Sequence, residues 1–221
     1  MAPREPLSAE RVLRAALELA DSVGVDGLTM RRLGQELGVE AMSLYKHVAN
    51  RDAVLDGIVD LVVGEIVLPS ENDDWKGAMR ERAISAHMTL MRHPWACPLL
   101  MSRVNVGPSM IRYTEATIGT LRRAGFSVEL ADRAWNALDS HIYGFTLQRL
   151  NFPFEPDQYA QAAEQYLPLL PPGEFPYLAE MAEHVIAGRY SGVPAFSFGL
   201  DLVLDGLERL LSDPHVRSSG R

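Results

Sequence analysis

The amino-acid sequence predicts an all-α protein in which a small N-terminal three-helix domain, residues 1–68, joins a larger helical domain, residues 69–221. Two observations favour this fold class. Apolar residues recur at steps of three and four along most of the chain, which is the spacing of one face of an α-helix. No stretch alternates apolar and polar residues between turn signals, as a half-buried strand would.

In the N-terminal domain, small polar residues that can cap helices precede apolar periodic segments, and glycines follow two of them. We therefore predict a long first helix, a short second helix, a third over residues 40–47 and a fourth that leads into the rest of the chain. The residues that start or stop these helices are, in order, Ser8, Gly24 and Gly27, Thr29, Gly38, and Asn50.

A polar break at residues 69–74 separates the two predicted domains. Beyond it the periodicity predicts further helices and two proline-rich connectors. The long helices are expected at 75–92, 108–124, 128–150, 174–188 and 194–212, with a short helix at 157–166.

Composition narrows the class of protein. A hydrophobic content of 47% is enough for a substantial core. No apolar run approaches the roughly 20 residues that cross a bilayer, so we expect no membrane partner. The single cysteine, Cys97, excludes an intrachain disulfide and suits a reducing compartment. We expect a cytoplasmic protein.

The net charge of −8 is unlike that of most nucleic-acid-binding proteins, whose binding domains are usually basic. Residues 1–66 hold seven basic and eleven acidic side chains, a net charge of −4, yet residues 28–51 carry a net charge of +2. Charge therefore neither establishes nor excludes DNA binding. It does predict weak non-specific affinity, because each subunit would neutralise few phosphates.

Two short helices joined by a glycine-containing turn form the core of a helix-turn-helix. Apolar residues at the right spacing can build its shared core, namely Leu33, Leu37, Val39, Leu44 and Val48. The polar face of the third helix would then point outward and could enter a DNA major groove roughly 12 Å wide. Arg31 and Arg51 are spaced to contact phosphates on either side. A small helical bundle with a polar face would show the same spacing.

The residues themselves resemble the TetR family of transcriptional regulators. The resemblance rests on Leu-Thr-Met-Arg-Arg-Leu-Gly at 28–34, Ser-Leu-Tyr-Lys-His at 43–47 and Asn-Arg-Asp at 50–52. It implies a dimer that reads a palindromic operator in double-stranded DNA and loses affinity when a small molecule binds the other domain. The DNA contacts that it implies are Met30, Arg31, Ala41, Met42, Ser43, Tyr45, Lys46, His47 and Arg51.

Within that set, the resemblance implies phosphate contacts for Tyr45 and His47 and base contacts for residues 41–43 and Lys46. Ala41 and Met42 have no side-chain hydrogen-bonding group, so apolar contact with thymine methyls is expected there. The alternative for Tyr45 is a partly buried core ring.

Three later segments resemble the subgroup that contains the tetracycline repressors. They are His-Pro-Trp at 93–95, Gly-Phe-Ser at 125–127 and the run at 196–207. The resemblance implies a homodimer in which residues 128–150 and 194–211 of two subunits form a four-helix bundle. The leucines of 200–211 exceed what one packing face needs, although a fully buried helix of a monomer would also explain them.

The resemblance also implies a ligand pocket in the second domain, lined by apolar and aromatic side chains with a few polar groups. The candidates are His87, Met91, Trp95, Met101, Tyr113, Thr117, Trp135, Asn136, Asp139 and Gln148. Methionine and aromatic side chains at helical spacing are more often core than pocket, and that alternative stays open for each of them. Met101 and Ser140 stand where the tetracycline repressors place two histidines, one of them the magnesium ligand. A thioether and a hydroxyl are poor ligands for hydrated Mg²⁺. We therefore expect a largely apolar or aromatic effector, and no magnesium–tetracycline complex.

Catalysis is a weaker alternative. His141 and Asp139 lie two residues apart on one helix, so their side chains do not share a face of it. His87 and His93 lack the four-residue spacing of a helical zinc motif. The sequence has no phosphate-binding loop and no nucleophile elbow. We expect no enzyme, metal site or cofactor. An activator on the same scaffold, or a small-molecule-binding protein without DNA binding, stays open.

Overall fold

A computed structural model describes residues 6–70, 74–155 and 158–213. These ranges contain α-helices, a 3-10 turn at Leu167–Leu169 and no strand, which confirms the all-α prediction. The helices are α1 Ala9–Gly27, α2 Met30–Leu37, α3 Ala41–Leu44, α4 Arg51–Gly64, α5 Trp75–Arg92, α6 Ala96–Ser102, α7 Pro108–Arg123, α8 Val128–Leu150, α9 Tyr159–Tyr166, α10 Pro176–Ile186 and α11 Phe196–Ser212.

The N-terminal helices begin at the predicted caps. The side chains of Ser8, Thr29 and Asn50 each accept a hydrogen bond from the backbone N–H three residues further on, at 3.2, 3.2 and 2.8 Å. Each bond satisfies an N–H that the helix itself cannot use. The helical path of α1 is interrupted at Gly24, where φ is 74°. The signals for helix starts are local, and the sequence therefore located them correctly.

Two short helices differ from the predictions. α3 ends at Leu44 instead of continuing to His47, because the N–H groups of Lys46 and His47 bond to carbonyls three residues back and tighten the chain into a turn. α6 was not predicted at all. It has seven residues, including Pro98, and is too short to show a helical period.

One continuous apolar core runs through both parts of the molecule. α4 is buried on two sides, packing against α1 on one and against α7 on the other. α5, α7, α8 and α11 pack against one another around the rest of the core, whereas α9 and α10 pack mainly against each other. In the described ranges no helix is both long and apolar enough to cross a bilayer.

Candidate nucleic-acid interface and ligand cavity

The turn between α2 and α3 depends on two glycines. Gly38 ends α2 in the left-handed region, with φ 65° and ψ 37°, where a residue with a Cβ is strained. At Gly34 a Cβ would lie 2.9 Å from the carbonyl oxygen of Val39, so only glycine lets the turn approach α2 this closely. Leu33 and Leu44 are fully buried beneath the turn. α3 is therefore held against α2 by backbone proximity as well as by apolar packing.

The side chains implied as DNA contacts, apart from Arg51, lie on α2, on α3 and on the turn after it, and α2 and α3 pack together. We call this set the reading surface and define it as Met30, Arg31, residues 41–43 and residues 45–47. Arg31, Met42 and Lys46 are exposed, and Met30, Ala41, Ser43 and His47 are half-buried. The Tyr45 ring is 45% exposed. Tyr45 is thus a surface side chain, and the alternative of a core ring does not hold.

Arg51 is placed differently from its expected position as a phosphate clamp. Its Nε donates to the Leu28 carbonyl at 2.8 Å and its Nη2 donates to the Val25 carbonyl at 2.6 Å. These carbonyls lie at the end of α1, where a cation also complements the helix dipole. Arg51 therefore ties the start of α4 to the end of α1, a role that the sequence did not show.

A cavity of about 490 Å³ lies between α6, α7 and α8, and we call it the α6–α8 cavity. Four of the ten predicted ligand-binding residues line it: Met101, Trp135, Asn136 and Asp139. Other lining residues that the prediction did not include are Leu100, Asn105, Met110, Thr114, Ser140, Tyr143 and Gly144. Leu100 and Asn105 were missed because α6 and the turn after it were not recognised, whereas the other five lie on α7 and α8, where the sequence does not show which side chains face the cavity.

The remaining six predicted ligand-binding residues lie elsewhere. The ring of His87 stacks on Phe196 with centroids 4.4 Å apart, and its Nδ1 lies 2.8 Å from the Thr146 hydroxyl. Burial, followed by the charges of His141 and Arg149, lowers the pKa of His87. His87 is therefore a neutral packing group between α5, α8 and α11.

The other five residues have structural positions of their own. Tyr113 and Thr117 are buried core residues of α7, and Met91 is half-buried on α5. Gln148 borders a separate recess of about 10 Å³, which is too small for a ligand. Trp95 donates its indole N–H to Asp21 in α1. Apolar and aromatic side chains at helical spacing served as core here, the alternative that the sequence left open.

The α6–α8 cavity has a buried ion pair in its wall. Arg82 on α5 is completely buried, and its Nη2 bonds to Oδ1 of Asp139. The guanidinium also lies over the ring of Tyr113, 4.6 Å from the centroid. Sequence reasoning missed Arg82. A charged residue at helical spacing from Met79 and Ala86, inside an apolar stripe, was the available signal.

Asp139 accepts two further hydrogen bonds from its own helix. The Trp135 indole N–H donates to Oδ2 at 2.7 Å, and the Tyr143 hydroxyl donates to the same oxygen at 3.3 Å. Burial, and then the charge of Asp139, raises the pKa of Tyr143 well above its usual value. The Tyr143 hydroxyl therefore stays protonated at neutral pH and acts as a donor.

The segment that lines the cavity is also bonded to α4. Arg103, just after α6, pairs with Asp56 at 2.8 Å. Asp60 accepts the backbone N–H groups of Ser109 at 3.1 Å and Met110 at 2.9 Å, at the start of α7. Movement of residues 100–110 would therefore alter the bonds to α4, whose first residue, Arg51, is bonded to the end of α1.

A second set of bonds links α1 and α4 to the start of α6. We call it the Asp21 cluster, made of Asp21, Glu65, His93 and Trp95. Asp21 Oδ1 lies 2.7 Å from His93 Nδ1 and accepts the Trp95 indole N–H at 2.7 Å. His93 Nε2 lies 3.2 Å from a carboxylate oxygen of Glu65. The two parts of the chain thus meet through partly buried polar bonds as well as through apolar packing.

Comparison with known proteins identifies the family. Residues 12–58 match the family model "Bacterial regulatory proteins, tetR family", and residues 68–211 match "Tetracyclin repressor-like, C-terminal domain". The chain belongs to the TetR family. Both resemblances that the sequence indicated are therefore confirmed, and the protein is a helix-turn-helix transcriptional regulator. Members of this family are generally DNA-binding regulators that catalyse no reaction.

Individual relatives cover almost the whole chain. HTH-type transcriptional repressor DrrR1 of Streptomyces coeruleorubidus is 29% identical over 98% of this chain and 83% of its own length. Tetracycline repressor protein class G of Vibrio anguillarum is 31% identical over 90% of this chain and 92% of its own. The structure of ActR from Streptomyces coelicolor in complex with actinorhodin has a TM-score of 0.79 and 30% identity, covering 95% of this chain and 100% of that one.

The structure brings together the two positions on which the magnesium expectation rests. Met101 and Ser140 both line the α6–α8 cavity. Within the described residues, no three histidine, cysteine, aspartate or glutamate side chains gather in a group that could hold a metal ion. The absence of magnesium from ligand binding nevertheless stays a prediction.

Proposed function

We propose that this protein is a homodimeric repressor. It holds a palindromic operator through the two reading surfaces and releases the DNA when a small molecule occupies the α6–α8 cavity. Each surface would enter one major groove, and matching half-sites would be separated by about one helical turn, roughly 34–36 Å. The protein would act in the cytoplasm, where bacterial operators lie.

The assignment of DNA contacts within the reading surface is part of this proposal. Lys46 and Ser43 can hydrogen-bond to base edges, and Met42, 72% exposed, can contact a thymine methyl. Tyr45, His47 and Arg31 are assigned to phosphates, which position a protein on DNA without reading sequence. Because the surroundings are acidic, affinity would depend on base contacts and on two linked subunits.

The observation that carries the release step is the double use of residues 100–110. This segment lines the cavity, and it is bonded to α4 through Arg103, Asp56 and Asp60. A ligand shifts a conformational equilibrium only through contacts that differ between the two states. A molecule seated against Met101 would contact the segment that is tied to α4 and favour a different position of that helix. The spacing between the two reading surfaces would then change.

The dimer is proposed to form through α8 and α11. Large apolar side chains remain exposed on both helices of the isolated chain, including Val128 at 72%, Phe198 at 69% and Leu202 at 55%. A surface with this much exposed apolar area is typical of an interface. A four-helix bundle made from α8 and α11 of two subunits would cover these side chains.

The relatives support an organic effector. ActR has been crystallised with actinorhodin, and its fold matches this chain over nearly its full length. The cavity of about 490 Å³ lies within the range of small-molecule sites, roughly 300–1,000 Å³. Its apolar and aromatic lining favours a flat aromatic molecule, and its Met101 and Ser140 disfavour a magnesium–tetracycline complex.

The test is the affinity of the purified protein for fluorescent duplexes that tile the DNA flanking its own gene. We expect one palindromic fragment to bind tightly, and Lys46→Ala to weaken it at least tenfold, since a base contact contributes about 1–3 kcal/mol. Lys76→Ala is the matched control, because this second lysine lies on α5 and pairs with Asp205 and Glu208. If no fragment binds at low salt, or if both variants bind equally, the proposed reading surface is wrong.

A further inference from the structure

The α6–α8 cavity carries a polar group whose chemistry restricts what can bind there. Asp139 lines the cavity with 13% of its side chain exposed, whereas its counterion Arg82 has no exposed surface. Two nitrogens of that guanidinium, Nε and Nη1, have no hydrogen-bond partner within the described part of the chain. A ligand therefore meets the carboxylate, while the positive charge that balances it stays out of reach.

Asp139 retains the capacity to accept another hydrogen bond. A carboxylate offers about four lone-pair sites. Arg82 and Trp135 use one each, and the Tyr143 bond to Oδ2 is long at 3.3 Å. The Trp135 and Tyr143 side chains contact the carboxylate, and the flexible side chains of Met101 and Met110 line the same cavity. These surfaces suit the face of an aromatic molecule.

The charges around the cavity disfavour an ionic ligand. Among the described residues that line it there is no lysine, arginine or histidine, so an anion would face a carboxylate without a reachable cation. A cation would meet a carboxylate whose charge Arg82 already balances, and it would be repelled by that guanidinium. A hydroxyl group, in contrast, can donate to Asp139 and carries no net charge.

We propose that Asp139 selects uncharged aromatic effectors that carry a hydroxyl group, by accepting that group's hydrogen bond while the rings lie beside Trp135. This inference rests on the proposed function of the cavity as the effector site. It adds the chemical class of the effector and the residue that recognises it. The selection follows from one accessible carboxylate balanced by one inaccessible guanidinium.

The experiment measures Kd by calorimetry for four naphthalene probes that differ only in one substituent: hydroxymethyl, methyl, carboxylate or aminomethyl. We expect the hydroxymethyl probe to bind about tenfold more tightly than the methyl probe, which is the usual magnitude for a hydrogen bond to a charged group. Both ionic probes should bind more weakly than the alcohol. Equal binding of alcohol and methyl probes, or stronger binding of either ionic probe, would overturn the inference.

Variants assign the preference to Asp139. In Asp139→Asn the preference for the alcohol should fall to about twofold, and the carboxylate probe should gain affinity because the Arg82 charge is no longer balanced. Ser140→Ala is the matched control, since this hydroxyl lies in the same cavity and its removal should leave the preference intact. A preference that survives Asp139→Asn, or that Ser140→Ala abolishes, contradicts the assignment.

Asp139→Asn leaves a buried guanidinium unbalanced and could fail to fold, so Trp135→Phe provides a second measurement. This variant keeps both charges and frees a lone pair on Oδ2. All probes should bind more weakly, but the alcohol should keep at least its wild-type advantage over the methyl probe, and loss of that advantage contradicts the inference.

If no probe binds the wild-type protein, the cavity itself is not a ligand site and the proposed effector mechanism fails as well. If probes bind without preference, only the role of Asp139 fails.

Discussion

Replacing Arg51 with methionine separates a structural role from a DNA-binding role. The variant loses the two hydrogen bonds from the guanidinium to the carbonyls of Val25 and Leu28, at 2.6 and 2.8 Å. A hydrogen bond to a charged group contributes roughly 1.5–3 kcal/mol. Both bonds are partly open to solvent, so we take a lower value and expect a loss of about 2 kcal/mol for the pair. The methionine retains most of the apolar stem.

The assay is urea unfolding followed by far-ultraviolet circular dichroism, at one protein concentration because the stability of a dimer depends on it. Arg51→Lys is the control and should fall between wild type and Arg51→Met, since lysine keeps the charge without the fork. The salt dependence of operator binding should keep its slope. An unchanged unfolding midpoint, together with a slope reduced by about 1.8 for two lost phosphate contacts, would refute this reasoning and restore Arg51 as a phosphate ligand.

Four further variants or reagents test other parts of the structure. Tyr45→Ala should weaken operator binding about tenfold in fluorescence anisotropy, and it should leave the sedimentation coefficient of the dimer unchanged because the ring is exposed. Unchanged affinity would show that the reading surface has been assigned to the wrong residues. Leu202→Asp should yield monomers in analytical ultracentrifugation. The control Val104→Asp changes an exposed apolar residue outside α8 and α11 and should remain a dimer. If both variants remain dimers, the proposed interface is wrong. Burial raises the pKa of Cys97 to about 11, so this thiol should resist disulfide reagents at pH 8 until the protein is unfolded, and rapid reaction of the native protein would contradict its burial. Asp21→Asn should weaken the hydrogen bonds that join α1 to the start of α6, and it should reduce the effector-induced release of DNA, measured by anisotropy. If the effector releases DNA from the variant as it does from the wild-type protein, the Asp21 cluster does not transmit the signal.

The long helices and their caps were predictable because the signals are local. Ser8 and Asn50 lie within three residues of the N–H groups that they cap, and no distant partner is needed. The extent of the third helix was not predictable, since the turn after Leu44 depends on bonds that a helical period does not distinguish. α6 escaped notice because seven residues hold fewer than two full turns.

In the candidate site, too, features with local sequence signals were predictable and features that depend on distant partners were not. The DNA-binding residues could be proposed from the sequence because most of them are contiguous and their order is specific to a family. Six of the ten predicted ligand-binding residues lie outside the α6–α8 cavity because cavity and core use the same side chains, and only tertiary structure separates Met101, which lines the cavity, from Tyr113, which is buried in the core. The Arg82–Asp139 pair joins residues 57 positions apart, so neither residue alone indicated the other.

The Asp21 cluster has a consequence for building chimeric regulators. Domain swaps in such proteins cut the chain at a linker, and residues 67–70, which lie outside any helix, are the obvious place for the cut. A DNA-reading module transplanted with that junction would carry Asp21 and Glu65 into its new host and leave His93 and Trp95 behind. The hybrid would then bind its operator but respond poorly to the new effector. The unit to transfer therefore extends beyond the linker to the start of α6. Alternatively, the side chains equivalent to His93 and Trp95 can be introduced into the recipient.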